Sequence, residues 1–280
     1  MKFSLVFIFL IISLTANSQK EIETDLLFYG DVMINAFEDQ NRIRASKEFS
    51  SLFEQHLESN PMLNTKAEFN KYISILDLDK NRKLVTWQVK TENFKYDFMG
   101  YFLEKGKKPI EFTRTEALSS KMSFMTCTED DWYGCIYMDF KQLSDNQYII
   151  FGRDPSNQFD NQKVADILTI NGENSLTFGA PIFEDKKSRE TFINRIILSY
   201  SSDASVFLHY HKGLNLLLHD HLEPRMGLQA GQGATNIPDG TYEGYEEKNG
   251  KWMYVEKIFN HVYEDAPIPK PTQSGLFKKK

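Results

Sequence analysis

Four of the six histidines fall in two H-x-H pairs, His209-Tyr210-His211 and His219-Asp220-His221. On a strand, residues i and i+2 share a face, so either pair could offer two imidazoles to one metal ion. Whether all four converge depends on register. Val206, Leu208 and Tyr210 form an apolar face that matches Leu214, Leu216 and Leu218 if the loop is His211-Lys212-Gly213. That register sets Ser205 opposite His219 and His209 opposite Asn215. His209 and His219 then lie about 13 Å apart at about 3.3 Å per residue, too far to share an ion. The metal candidates that survive are His219 and His221 with a carboxylate from elsewhere. The same stretch supplies Asp220 and His221, an acid and an imidazole of the kind a hydrolase uses. The alternative is solvent-facing or hydrogen-bonded histidines on the polar face of a half-buried hairpin.

Other motifs fail on their details. Asp77-Leu78-Asp79-Lys80-Asn81-Arg82 begins like a calcium loop, but the sixth position is Arg82 and the twelfth is Gln88, where a glycine and a glutamate belong. An Asx-rich turn is the expectation. Gly152 to Asn157 makes a turn and lacks the Gly-Lys-Ser/Thr ending of a phosphate loop. There is no G-x-S-x-G, and no motif names a cofactor. Glu243, Glu246 and Glu247 read as solvating acids on an exposed strand. Cys127 and Cys135 could close a disulfide across a short loop or stand as two separate buried residues. Trp87, Trp132 and Trp252 lie in or beside apolar runs, where a large ring usually serves the core.

These groups need elements to position them. From Glu21 to Ser59 the apolar residues recur at helical spacing, which predicts two amphipathic helices broken near Glu38 to Asn41 and ended at Asn60-Pro61. Ten short β-branched and aromatic runs follow. They cover residues 83–89, 97–103, 134–140, 148–152, 164–170, 193–200, 205–211, 214–219, 240–246 and 251–257. Their spacing predicts mostly antiparallel pairing, with the clearest hairpin at Asn249-Gly250. The fold class is therefore α+β: two N-terminal helices (residues 19–60) on a large antiparallel β region (61–264), in one domain, with sandwich, barrel and open sheet undecided. Residues 265–280, with three prolines and a terminal Lys-Lys-Lys, are expected to be disordered.

Composition narrows the class. Of 280 residues 41% are hydrophobic, ample for a core, and the net charge is -6 with Lys and Arg scattered among acids, so no nucleic acid is expected as partner. Lys2 followed by the apolar run from Ser4 to Leu14, with Ala16 and Ser18 before Gln19, reads as a signal peptide cut after Ser18. The run is too short for a membrane span, and no later segment approaches one.

The strings Asp131-Trp132-Tyr133-Gly134, Phe178-Gly179-Ala180-Pro181-Ile182-Phe183, Asp220-His221-Leu222-Glu223-Pro224 and Pro238-Asp239-Gly240-Thr241-Tyr242 carry a likeness. In this order, the chain resembles an uncharacterised family of exported Bacteroidota proteins. The resemblance implies compartment and lineage, and no mechanism. His221 falls in the family's D-H-L-x-P string, whereas His209, His211 and His219 match nothing in it. Arg153 and Cys135 depart from the family's usual Trp and small apolar residue, which would make a Cys127–Cys135 bridge a local feature. Together these observations predict a periplasmic or secreted, non-catalytic binding or structural component of the cell envelope, its partner unidentified. The alternatives are a hydrolase using Asp220 and His221, and a carbohydrate- or peptide-binding module with exposed aromatics around Trp132.

Overall fold

The computed structural model describes residues 2–63, 68–114, 119–155, 157–172 and 174–258; the expected tail at 265–280 lies outside them. Two helices open the chain, α1 (Lys2–Asn35) and α2 (Asp39–Ser59). α1 runs unbroken through Ser18. Arg42 holds the corner between the helices: it donates to the carbonyls of Ala36, Phe37 and Lys90 and pairs with Asp39. Asn60 donates to the His56 carbonyl and stops α2 before Pro61. No helix among the described residues is long and apolar enough to cross a membrane.

The strands are β1 (Ser74–Asp79), β2 (Arg82–Lys90), β3 (Tyr96–Glu104), β4 (Ile110–Thr113), β5 (Ile136–Ser144), β6 (Gln147–Asp154), β7 (Asp160–Asn171) and β8 (Ser175–Phe178). They continue with β9 (Phe183–Glu184), β10 (Phe192–Ile193), β11 (Ile196–Ser201), β12 (Leu208–His211), β13 (Leu216–Met226), β14 (Ala234–Lys248) and β15 (Lys251–Val255). They form three sheets, ordered β1-β2-β3-β4, β11-β7-β6-β5 with β8 also on β7, and β10-β9-β15-β14-β13-β12. Of the strand pairings, β15 with β9 is parallel and the others are antiparallel. The class is thus α+β, and the undecided architecture resolves as stacked sheets with the helices on the outside.

Side-chain alternation builds three cores between four layers. Phe49, Phe53 and Leu57 of α2 meet Val85, Trp87 and Tyr101 on the outer face of the first sheet. Leu84, Phe98 and Phe102 on its inner face meet Tyr148, Ile150, Val164 and Leu168 of the middle sheet. The other face of the middle sheet, Ile149, Phe151, Ala165 and Ile167, meets Leu217, Tyr245 and Trp252 of the third. A sheet covered on both sides has no polar face, which is why residues 148–151 read as a continuous apolar run.

Each expected strand overlaps one found, and β1, β4, β8 and β9 come in addition. Residues 193–200 do not form one strand: β10 and β11 belong to different sheets, divided at Asn194-Arg195. The Asn249-Gly250 hairpin is present, with both residues at positive φ (53° and 76°) as a type I′ turn requires. Asp79 accepts from the Asn81 N–H at 2.7 Å, so the calcium-like string is the expected Asx turn. The β12–β13 register differs from the expected one: His211 pairs with Leu216 and Leu208 with His219, because residues 212–215 form a longer loop with Asn215 at positive φ. The possible disulfide is not formed. Cys127 and Cys135 are buried free thiols, Cys127 against Arg195 and Cys135 packed at Gly152.

The middle core encloses a full ion pair. Asp166 and Arg195, both 0% exposed, meet at 3.0 Å, and the guanidinium also donates to the carbonyls of Met122 and Phe178. This fixes the start of β11 against β7.

Candidate functional site

β11, β13 and β14 wall a cavity of about 320 Å³, closed on one side by residues 185–187 after β9 and on another by the turn at Ser123-Phe124. One wall is apolar, with Ile193, Ile196, Leu198 and Leu222. The other is polar, with His219, Asp220, Glu243, Asp185 and Lys186.

His219 and Glu243 are direct cross-strand partners on β13 and β14, so their side chains leave one face of the sheet side by side. His219 is 2% exposed. Its Nδ1 lies 2.8 Å from the Asp220 carbonyl, which only accepts, so Nδ1 carries the proton and Nε2 holds a lone pair. Nε2 is buried with no hydrogen-bond partner among the described residues. Burial pushes the His219 pKa down, which keeps the ring neutral at neutral pH. The ring packs against Tyr245 with centroids 6.0 Å apart.

Glu243 is also 2% exposed, which corrects its reading as a solvating acid. Lys186 Nζ reaches both carboxylate oxygens at 2.6 and 2.8 Å, supplying the counter-charge that a buried carboxylate requires. The signal was legible in the alternation: Glu243 shares strand parity with Tyr245, and Tyr245 points into the core. Lys186, from a loop, carried no such signal.

Asp220 Oδ2 accepts from the Phe207 N–H at 2.9 Å. Burial pushes its carboxyl pKa up and the nearby Asp239 charge adds to this, while the Phe207 hydrogen bond opposes it. His221 turns elsewhere. The β13–β14 register shifts after Asp220, so that residues 239–241 lie opposite His221 alone, with Gly240 at φ 89°. Asp239, ordered by hydrogen bonds from Thr241 N–H and Oγ1, meets His221 Nδ1 at 2.9 Å. His221 Nε2 lies 3.5 Å from Glu243 Oε1.

The expected site residues therefore divide. Asp220 and His219 line the cavity, while His221 stands behind Glu243, in the Asp239 pair. His219 and His221 do not share one metal-suited group. Among the described residues that group is His221, Glu223 and Asp239, with ligand atoms within 4.8 Å of one another. His211 Nδ1 accepts from the Leu214 N–H in the β12–β13 loop. All three tryptophans are buried, at 1%, 0% and 1% exposure, so no tryptophan offers a binding platform.

No family model, curated protein or solved structure matches the chain.

Proposed function

We propose that the chain is an exported, non-catalytic binding protein of the cell envelope whose ligand site is the cavity between β11 and the β13–β14 pair. One observation carries the binding reading: a cavity of about 320 Å³ in which an apolar wall of Ile193, Ile196, Leu198 and Leu222 faces a polar one of His219, Glu243 and Lys186. A concave, mainly apolar space with a few convergent polar groups is the form that small-molecule sites take. Export rests on the apolar run at residues 4–14 and the small residues Ala16 and Ser18. The test is a ligand-observed NMR screen of small amphipathic compounds against the native chain and Leu222→Trp, whose indole fills the cavity. Hits on the native chain that vanish in the folded variant support the site; hits that persist in the variant, or their absence, contradict it. Export is tested by the mass of protein recovered from the periplasm of an expressing bacterium: a start at Gln19 agrees, and full-length cytoplasmic protein disagrees.

The Asp239–His221 pair at 2.9 Å favours a second reading, a hydrolase in which an oriented imidazole acts as base. His221 Nε2 lies 3.5 Å from Glu243 Oε1, and in this reading water is the attacking group. Ester and phosphoester turnover abolished by His221→Gln would establish it over binding alone.

A further inference from the structure

We propose that His221, Glu223 and Asp239 form a binding site for one Zn²⁺ ion, at the bulge where β14 turns aside from β13. The site is independent of the cavity reading, and it competes with the hydrolase reading for the same imidazole. Among the described residues this is where three metal-binding side chains come together, with ligand atoms within 4.8 Å of one another. His221 and Glu223 are i and i+2 on β13 and so leave the same face of the strand. Asp239 joins them from the neighbouring strand because residues 239–241 lie opposite His221 alone, with Gly240 at φ 89°. Its Oδ1 accepts from Thr241 N–H and Oγ1, both at 2.8 Å, which aims Oδ2 at His221 Nδ1, 2.9 Å away.

The far side of the ring suits the same role. His221 Nε2 is 3.5 Å from Oε1 of Glu243, a buried carboxylate whose two oxygens are held by Lys186. An imidazole that binds a metal through one nitrogen almost always directs its other N–H at a carboxylate, a carbonyl or water, which fixes the tautomer. With its proton on Nε2, the ring turns the Nδ1 lone pair toward Asp239 and Glu223, so that three acceptors converge with no proton between them. A cation satisfies that arrangement. Among the described residues neither acid makes an ion pair with a lysine or arginine, so two carboxylate charges are left to balance a divalent ion. The donor set selects zinc: one imidazole and two carboxylates make three protein ligands, with a fourth position for water, whereas calcium and magnesium take oxygen ligands. Zinc bonds of about 2.1 Å place tetrahedral ligand atoms about 3.4 Å apart, a spacing that the exposed Glu223 side chain can reach by rotation.

The test is isothermal titration of the untagged full chain with zinc, calcium and magnesium chlorides at neutral pH, with zinc repeated on Glu223→Gln, Asp239→Asn and, as a control acid on the same strand as Asp239, Glu246→Gln. We expect one Zn²⁺ per chain, with Ca²⁺ and Mg²⁺ weaker by about tenfold or more. Glu223→Gln and Asp239→Asn should each weaken zinc by about tenfold or more, and Glu246→Gln should leave it unchanged. Zinc that does not bind stoichiometrically, or binds the native chain and Glu223→Gln equally, overturns the site. Calcium or magnesium bound as tightly as zinc overturns it too, since the imidazole would then be no ligand. Glu223 is exposed, so its variant and the three-metal comparison on the native chain decide the matter even where Asp239→Asn does not fold.

Discussion

Replacing Arg195 with Met tests how the β11 wall of the cavity is held. The two carbonyls that the guanidinium serves keep other donors: Phe178 O still accepts from Cys127 N–H and Met122 O from Met125 N–H. The cost therefore falls on Asp166, which keeps the uncharged donors Ile167 N–H and Tyr137 hydroxyl and is left as a fully buried acid without a counter-charge. Breaking a buried pair in this way costs about 3–5 kcal/mol. Asp166→Leu should cost a similar amount by stranding the guanidinium. Asp166→Leu with Arg195→Met removes both charges from an apolar core, and such replacements are often close to neutral, so the double variant should be more stable than either single one. Urea unfolding followed by tryptophan fluorescence is a suitable assay, because Trp87, Trp132 and Trp252 each sit in a different core. With a slope of roughly 3 kcal/mol per molar, each single variant shifts the midpoint down by about 1–1.7 M. A double variant destabilised by the sum of the two singles would refute the reasoning, since it would mean the charges act independently.

Four further outcomes follow from the same geometry. Lys186→Met should destabilise the fold by about 1–3 kcal/mol and Glu243→Gln by less, because only the first leaves a buried charge unpaired; thermal melts at pH 7 check the order. Gly244→Ala should lower the melting temperature by several degrees, since its Cβ would meet the Leu217 carbonyl oxygen, and a variant that melts with the wild type would contradict that close approach. His56 and His219 have pKa values lowered chiefly by burial, so the unfolded chain takes up these protons first: stability is full above pH about 6.5 and declines below it. His219→Phe should flatten that decline just below pH 6.5, while the raised carboxyls of Asp220 and Glu111 act in the opposite sense as the pH falls. Gly250→Val should cost about 1 kcal/mol by placing a β-branched residue at φ 76°, read from the same melts.

The helices and most strands were legible because local periodicity encodes them, while the corner lies at residues 36–38, just ahead of the expected break at Glu38 to Asn41. Phe49, Phe53 and Leu57 repeat at helical spacing, and Asn249-Gly250 suits only one kind of hairpin. The short strands β4, β8 and β9 were not legible, since their pairing is decided by partners far along the chain. The β12–β13 register failed for a definite reason: matching Leu214 and Leu216 to an apolar face ignored Asn215, which tolerates the left-handed turn that lengthens the loop. Of the site, Asp220, His219 and His221 were singled out as chemistry-bearing residues, yet their division between cavity and Asp239 pair depends on a bulge that no local pattern marks. Lys186 and the Asp166–Arg195 pair lay beyond sequence reasoning, because a charged residue between apolar ones reads the same whether its partner is water or an ion across the core.

The most direct test of the cavity as a ligand site is the backbone ¹H–¹⁵N spectrum of the labelled chain, recorded before and after saturation with a hit from the ligand screen. The amides of His219, Leu222 and Glu243 should move, together with those of Ile196 and Leu198 on the facing wall. A hit that binds while these amides stay in place would contradict the claim that the cavity is the site.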